Sequence, residues 1–170
     1  MIFTARFSWL LVNLMTAILA SVVIGLFDTA IEKVVALAVL MLIVASMGRN
    51  AGTQTLTVAL RALAVKELTA ANALRIIGKE TLVSGVNGIL FANLIGVVAR
   101  LWFGKPIIGV IIGVAMIINL LMVGVVGSDI TLALDRWCVD PAVGSSVVLM
   151  TNTEVVRFFS FLGLAAWVLL

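Results

Sequence analysis

The chain has 170 residues, of which 64% are hydrophobic and 11% charged, with a mean hydropathy of +1.31. A soluble domain carries about 25% charged residues, and one of this size cannot hide so much apolar surface in a single core. The net charge of +3 is spread over short connecting segments rather than gathered into a stripe with aromatics, which excludes a nucleic-acid surface.

The residue types narrow the chemistry further. There is no His and a single cysteine, Cys138, so an internal disulfide is excluded and a zinc or iron centre has no donor set. The available ligands are hard oxygens, which suit magnesium or calcium. No nucleophile stands beside a base, and no phosphate-binding glycine loop is present, so neither an enzyme nor a nucleotide-driven pump is expected.

In chain order, a span needs about 20 apolar residues. The first expected span is 9–27, from Trp9 to Phe27. It follows Arg6 and exceeds the roughly 7–15 residues of a signal-peptide core, so it reads as a retained span. The second, 34–61, starts after Glu32 and Lys33 and is interrupted by the polar run Arg49-Asn50-Ala51-Gly52-Thr53-Gln54. An amphipathic linker from Lys66 to Glu80 follows, with the character of a short interfacial helix. The remaining spans are 81–101, 106–134 and 143–170. Trp9, Trp102 and Trp137 sit near span ends, where amphipathic rings prefer the headgroup level. The fold class is therefore all-α, a polytopic membrane bundle of about five helices.

Loop charges set the expected orientation. With the N-terminus cytoplasmic, the inner side holds Arg6, Arg61, Lys66, Arg75, Lys79 and Arg136, against Lys33, Arg100 and Lys105 outside. The excess of inner Lys and Arg favours that topology in the cell membrane, with the C-terminus extracytoplasmic.

Polar groups inside a span are costly and mark function by default. One cluster runs from Ser46 to Thr57 in the second span. Asn50, Thr53 and Thr57 share a helical face there, while Gly48 and Gly52 weaken the helix and permit close backbone approach. The bland alternative is interhelical hydrogen bonding. The second cluster is Thr151-Asn152-Thr153-Glu154 with Arg157 in the last span. Glu154 and Arg157 lie three apart and can pair on one face. They form either a structural ion pair or a cation site in an aqueous path. Gly109 and Gly113 form a small-residue packing face. Asn13, Asn87, Asn93 and Asn119 read as isolated helix contacts, and Asp129 as close enough to a span end to reach water.

Several strings together resemble a known family. They are Trp9–Leu14, Ile24–Phe27, Ile31–Ala38, Met47-Gly48-Arg49-Asn50-Ala51-Gly52-Thr53-Gln54-Thr55, Leu101-Trp102-Phe103-Gly104 and Asp140-Pro141-Ala142. In order and spacing they resemble the transmembrane domain of MgtE-type magnesium channels and transporters, related to solute carrier family 41. The resemblance covers nearly the whole chain and implies a homodimer with its pore on the dimer axis. The second and fifth spans would line that pore. An acidic residue in the fifth span, here Glu154, would hold largely hydrated Mg2+, helped by the backbone carbonyl of Met150. Ser46, Arg49, Asn50, Thr53, Gln54, Thr57, Thr153 and Arg157 would line the path.

The family usually carries Asp at 154, Gly at 49, a small residue at 157 and Gly-Pro near Ser146-Val147. No soluble regulatory domain is expected within these residues, so gating would come from a separate cytosolic regulatory protein or be absent. The partners expected are membrane lipid and a second copy of the chain. The expected function is Mg2+ movement down its electrochemical gradient. The alternatives are a non-conducting or regulatory subunit of the same fold, and a cation transporter of altered selectivity, such as a sodium-coupled one.

Overall fold

A computed structural model describes residues 2–69, 71–136 and 141–169. Six helices follow one another: α1 (Ile2–Gly25), α2 (Asp28–Lys33), α3 (Ala36–Ala64), α4 (Ala73–Phe103), α5 (Pro106–Arg136) and α6 (Pro141–Leu169). Among the described residues, four stretches are long and apolar enough to cross a bilayer: Ala36–Ala64, Ala73–Phe103, Pro106–Leu134 and Val147–Leu169. A shorter apolar stretch, Leu10–Gly25, lies within α1. The chain is thus an all-α membrane bundle with four to five apolar helices. Trp137, Cys138, Asp140 and Leu170 lie outside the described residues.

Two features differ from the sequence expectation. The polar run 49–54 does not interrupt its helix, because α3 continues from Ala36 to Ala64. Its hydroxyls bond to their own helix: Thr53 Oγ1 donates to the Arg49 carbonyl at 3.0 Å and Thr57 Oγ1 to the Thr53 carbonyl at 2.7 Å. That satisfies the two hydroxyls within the helix while the backbone ladder runs on through Gly48 and Gly52.

The amphipathic linker is not a separate helix either. Residues 73–80 are the opening turns of α4, and the link is a tight turn. There α3 ends in a Schellman arrangement, in which Lys66 N–H donates to the Leu63 carbonyl and Glu67 N–H to the Ala62 carbonyl. Lys66 takes the left-handed conformation, φ 60°, that glycine normally supplies. Asn72 then ties the turn: its Oδ1 accepts from Thr69 N–H and its Nδ2 donates to the Glu67 carbonyl.

The interior gathers around α5, which packs on α3, α4 and α6, while α1 packs on α6. Leu37, Leu40 and Val44 of α3, Ile95 and Ala99 of α4, Ile112 and Met116 of α5, and Phe161 and Leu162 of α6 form the main core. Ala20 and Val23 of α1 meet Phe158 of α6, and Phe27 lies edge-on to Phe159. The α4–α5 seam is close because Gly109 faces the Gly96 carbonyl and Gly113 faces the Ala92 carbonyl. Large apolar side chains such as Leu14 and Val22 of α1 and Leu82, Leu90, Leu94 and Leu101 of α4 point outward. Outward apolar side chains around helices that satisfy their own backbone suit lipid as solvent.

Candidate ion site between the third and sixth helices

α3 and α6 pack directly on each other, and each carries its polar cluster near its midpoint. On α3, side chains that repeat at three- and four-residue steps share a face. Ser46, Arg49, Asn50, Thr53, Gln54 and Thr57 are all exposed along it. The opposite face of α3 places Leu40, Val44, Gly48 and Gly52 against the bundle.

Glu154 of α6 is drawn to the α3 face by charge. Arg49 Nη2 lies 3.5 Å from Glu154 Oε1, and Arg157 Nη2 lies 3.5 Å from the same oxygen. The carboxylate side chain is 18% exposed, so it retains a way to the surface. The two guanidinium groups differ sharply in setting. Arg49 is 64% exposed and Arg157 is 1% exposed.

Arg157 is built into the junction of α3, α5 and α6. Its Nη1 donates to the Ala45 carbonyl at 2.9 Å, and its guanidinium sits 4.8 Å above the Phe158 ring. Gly48 opens the room for it: a Cβ there would stand 3.1 Å from Arg157 Nη1 and 2.5 Å from Asn119 Nδ2. Asn119 of α5 is fully buried and its Nδ2 lies 3.4 Å from the Val44 carbonyl, beside the same junction. By sequence, Asn119 is one isolated polar residue among four. What distinguishes it is its burial on α5, which no local spacing reveals.

The other expected site residues divide into groups. Thr153 is buried, and its hydroxyl approaches the carbonyls of Leu149 and Met150 at 2.9 and 3.2 Å. Thr153 and Arg157 therefore lie inside the protomer rather than on its polar surface. The Met150 carbonyl sits in the continuous helix α6 and already receives the Thr153 hydroxyl. Asn50 and Gln54 turn toward a cavity of about 430 Å3 between α3 and α4, which also receives Glu80, Ser84 and Asn87 of α4. Sequence spacing placed Asn50 and Gln54 with Arg49, and the structure separates them. Among the described residues, no group of three or more His, Cys, Asp or Glu side chains could hold a metal ion. A hydrated magnesium ion needs only a carboxylate and a polar surround.

A family model described as a divalent cation transporter, MgtE, matches residues 41–164. The chain belongs to the MgtE family. The match takes in the whole of the junction described above, from Val44 to Phe158. The chain is also similar to the magnesium transporters MgtE of Bacillus subtilis, 29% identical over 94% of this chain, and of Thermus thermophilus, 29% identical over 95%. A third relative, the magnesium transporter MgtE of Enterococcus faecalis, shows the same identity and coverage as the Thermus protein. This MgtE-family chain spans 36% of the length of those relatives.

Proposed function

We propose that this chain forms the transmembrane pathway of a magnesium channel or transporter, working as a homodimer with the polar faces of α3 and α6 on the dimer axis. The supporting observation is the exposed polar face of α3, which meets an intramembrane carboxylate, Glu154, at mid-span. Lipid is a poor neighbour for a face that carries Ser46 and the Arg49 guanidinium beside Glu154, since polar groups away from water need partners. A second copy enclosing water would satisfy them. Two Glu154 side chains facing one axis would form a small acidic ring, a device that selects cations.

Magnesium sheds water reluctantly and favours octahedral oxygen. Glu154 would bind it through its hydration shell. The membrane potential supplies about 2.3 kcal/mol per elementary charge per 100 mV, and a divalent ion gains twice that, so inward movement needs no nucleotide. The cytoplasmic N-terminus, extracytoplasmic C-terminus and any separate cytosolic regulator belong to the same proposal.

A second reading is a non-conducting subunit of the same fold. It is favoured by the two arginines on Glu154, which oppose a metal cation. Uptake of Mg2+ into proteoliposomes separates the two. Conduction predicts flux that is lost in Glu154→Ala. A folded dimer without flux supports the subunit.

A further inference from the structure

We propose that Arg49 is a displaceable internal counter-ion, which competes with the arriving divalent cation for Glu154 and tunes the site against monovalent ions. This rests on reading Glu154 as the ion's carboxylate.

The argument starts from the asymmetry of the two guanidinium groups. Both approach Oε1 of Glu154 at 3.5 Å. Arg157 cannot leave without breaking up the junction: it is 1% exposed, donates to the Ala45 carbonyl and covers Phe158. Arg49 stands on the exposed face of α3, and Glu154 is its one ion-pair partner among the described residues. A long, flexible arginine stem can swing its head toward water at little cost. Where the arginine head reaches water, solvent competes with the carboxylate for it and weakens the pair.

The charges then decide what the site does. One carboxylate against two guanidinium groups leaves the trio at a net positive charge, which repels a metal cation. With Arg49 swung away, Glu154 and Arg157 balance. Arg49 therefore acts as a tethered cation occupying the ion's place, and the ion enters by exchange with it. Coulomb attraction to the carboxylate scales with the ion's charge. A divalent ion gains twice what a monovalent ion gains at the same distance, so it displaces Arg49 more effectively. The cost is weaker loading, and the gain is discrimination by charge at a site with one carboxylate per protomer.

Mn2+ titration of the purified chain, followed by electron paramagnetic resonance of the free ion, tests this without requiring transport. The variants are Arg49→Gln, Arg49→Lys, Glu154→Gln and the double variant of Arg49→Gln with Glu154→Gln. Arg61→Gln removes a charge elsewhere on α3. Arg49→Gln is expected to tighten Mn2+ binding roughly tenfold and to make it more sensitive to competing Na+. Arg49→Lys should shift less than Arg49→Gln, and Arg61→Gln should stay near wild type. Binding that appears only once Arg49 is removed, and vanishes in the double variant, is the same result in its strongest form.

Three outcomes overturn the proposal. If Glu154→Gln abolishes binding while Arg49→Gln matches wild type, the ion site stands and the counter-ion role fails. If Arg61→Gln tightens binding as much as Arg49→Gln, the effect is general charge. If Glu154→Gln binds like wild type, or no variant binds, the Glu154 site itself fails and takes the counter-ion with it.

Discussion

Arg157 and Arg49 show how burial changes the meaning of an ion pair. Each meets the same oxygen at the same distance, yet their removal should have opposite weight for the fold. Arg157→Ala deletes a fully buried side chain, removes the tie from α6 to the Ala45 carbonyl of α3 and opens a void beside Asn119. Buried deletions of this size cost about 3–5 kcal/mol. Arg49→Ala removes an exposed partner and should change stability by about 0–1 kcal/mol. Thermal unfolding in a mild detergent measures both, and equal losses would contradict the structural role given to Arg157. The sequence exposed the possible pairing of Glu154 with Arg157 through their spacing. It could not show that Arg49, more than 100 positions earlier, reaches the same oxygen, because that depends on how α3 crosses α6.

Among elements, the α4–α5 seam carries the tightest backbone approach. A Cβ on Gly109 would stand 2.5 Å from the Gly96 carbonyl oxygen. That oxygen belongs to a helical backbone and cannot turn aside as a side chain can. Gly109→Ala is therefore expected to push the helices apart and cost about 1–3 kcal/mol, read as a lowered unfolding temperature. Retention of the wild-type unfolding temperature would show that the seam is looser than described. The two glycines of α5 were legible as a packing face from their spacing, while their partners on α4, Ala92 and Gly96, were not. Helix ends show a similar division. Gly104 closes α4 in the left-handed conformation at φ 66°, as a glycine before a proline-started helix leads one to expect. Lys66 does the same for α3 without being glycine, so no residue type announced that stop. The continuity of residues 73–80 with α4 was hidden for a related reason. Their charges resemble a linker, but helix formation is decided by backbone bonding, and charged side chains at a span end can reach the interface.

For the whole molecule, the polar face of α3 is the feature that a lone protomer leaves exposed. If it lies on a dimer axis, a cysteine there should find its twin. In a Cys138→Ser background, Thr53→Cys is expected to form an intermolecular crosslink in membranes, whereas Val97→Cys on the exposed face of α4 should not. Non-reducing electrophoresis reads the result. Crosslinking at Val97 with none at Thr53 would move the interface to α4 and remove the central pore.

By itself, the sequence determined the solvent, the all-helical class and the family. Those follow from local sums: runs of apolar residues long enough for a bilayer, and short motifs held in order along the chain. Tertiary structure decided which polar groups share a site. It buried Arg157 and Asn119, left Arg49 on the surface beside Glu154, and turned Asn50 and Gln54 toward α4. The physical reason is that charge pairing and burial depend on helix rotation and crossing, which are fixed by side-chain packing between segments far apart in sequence, and no single helix encodes them.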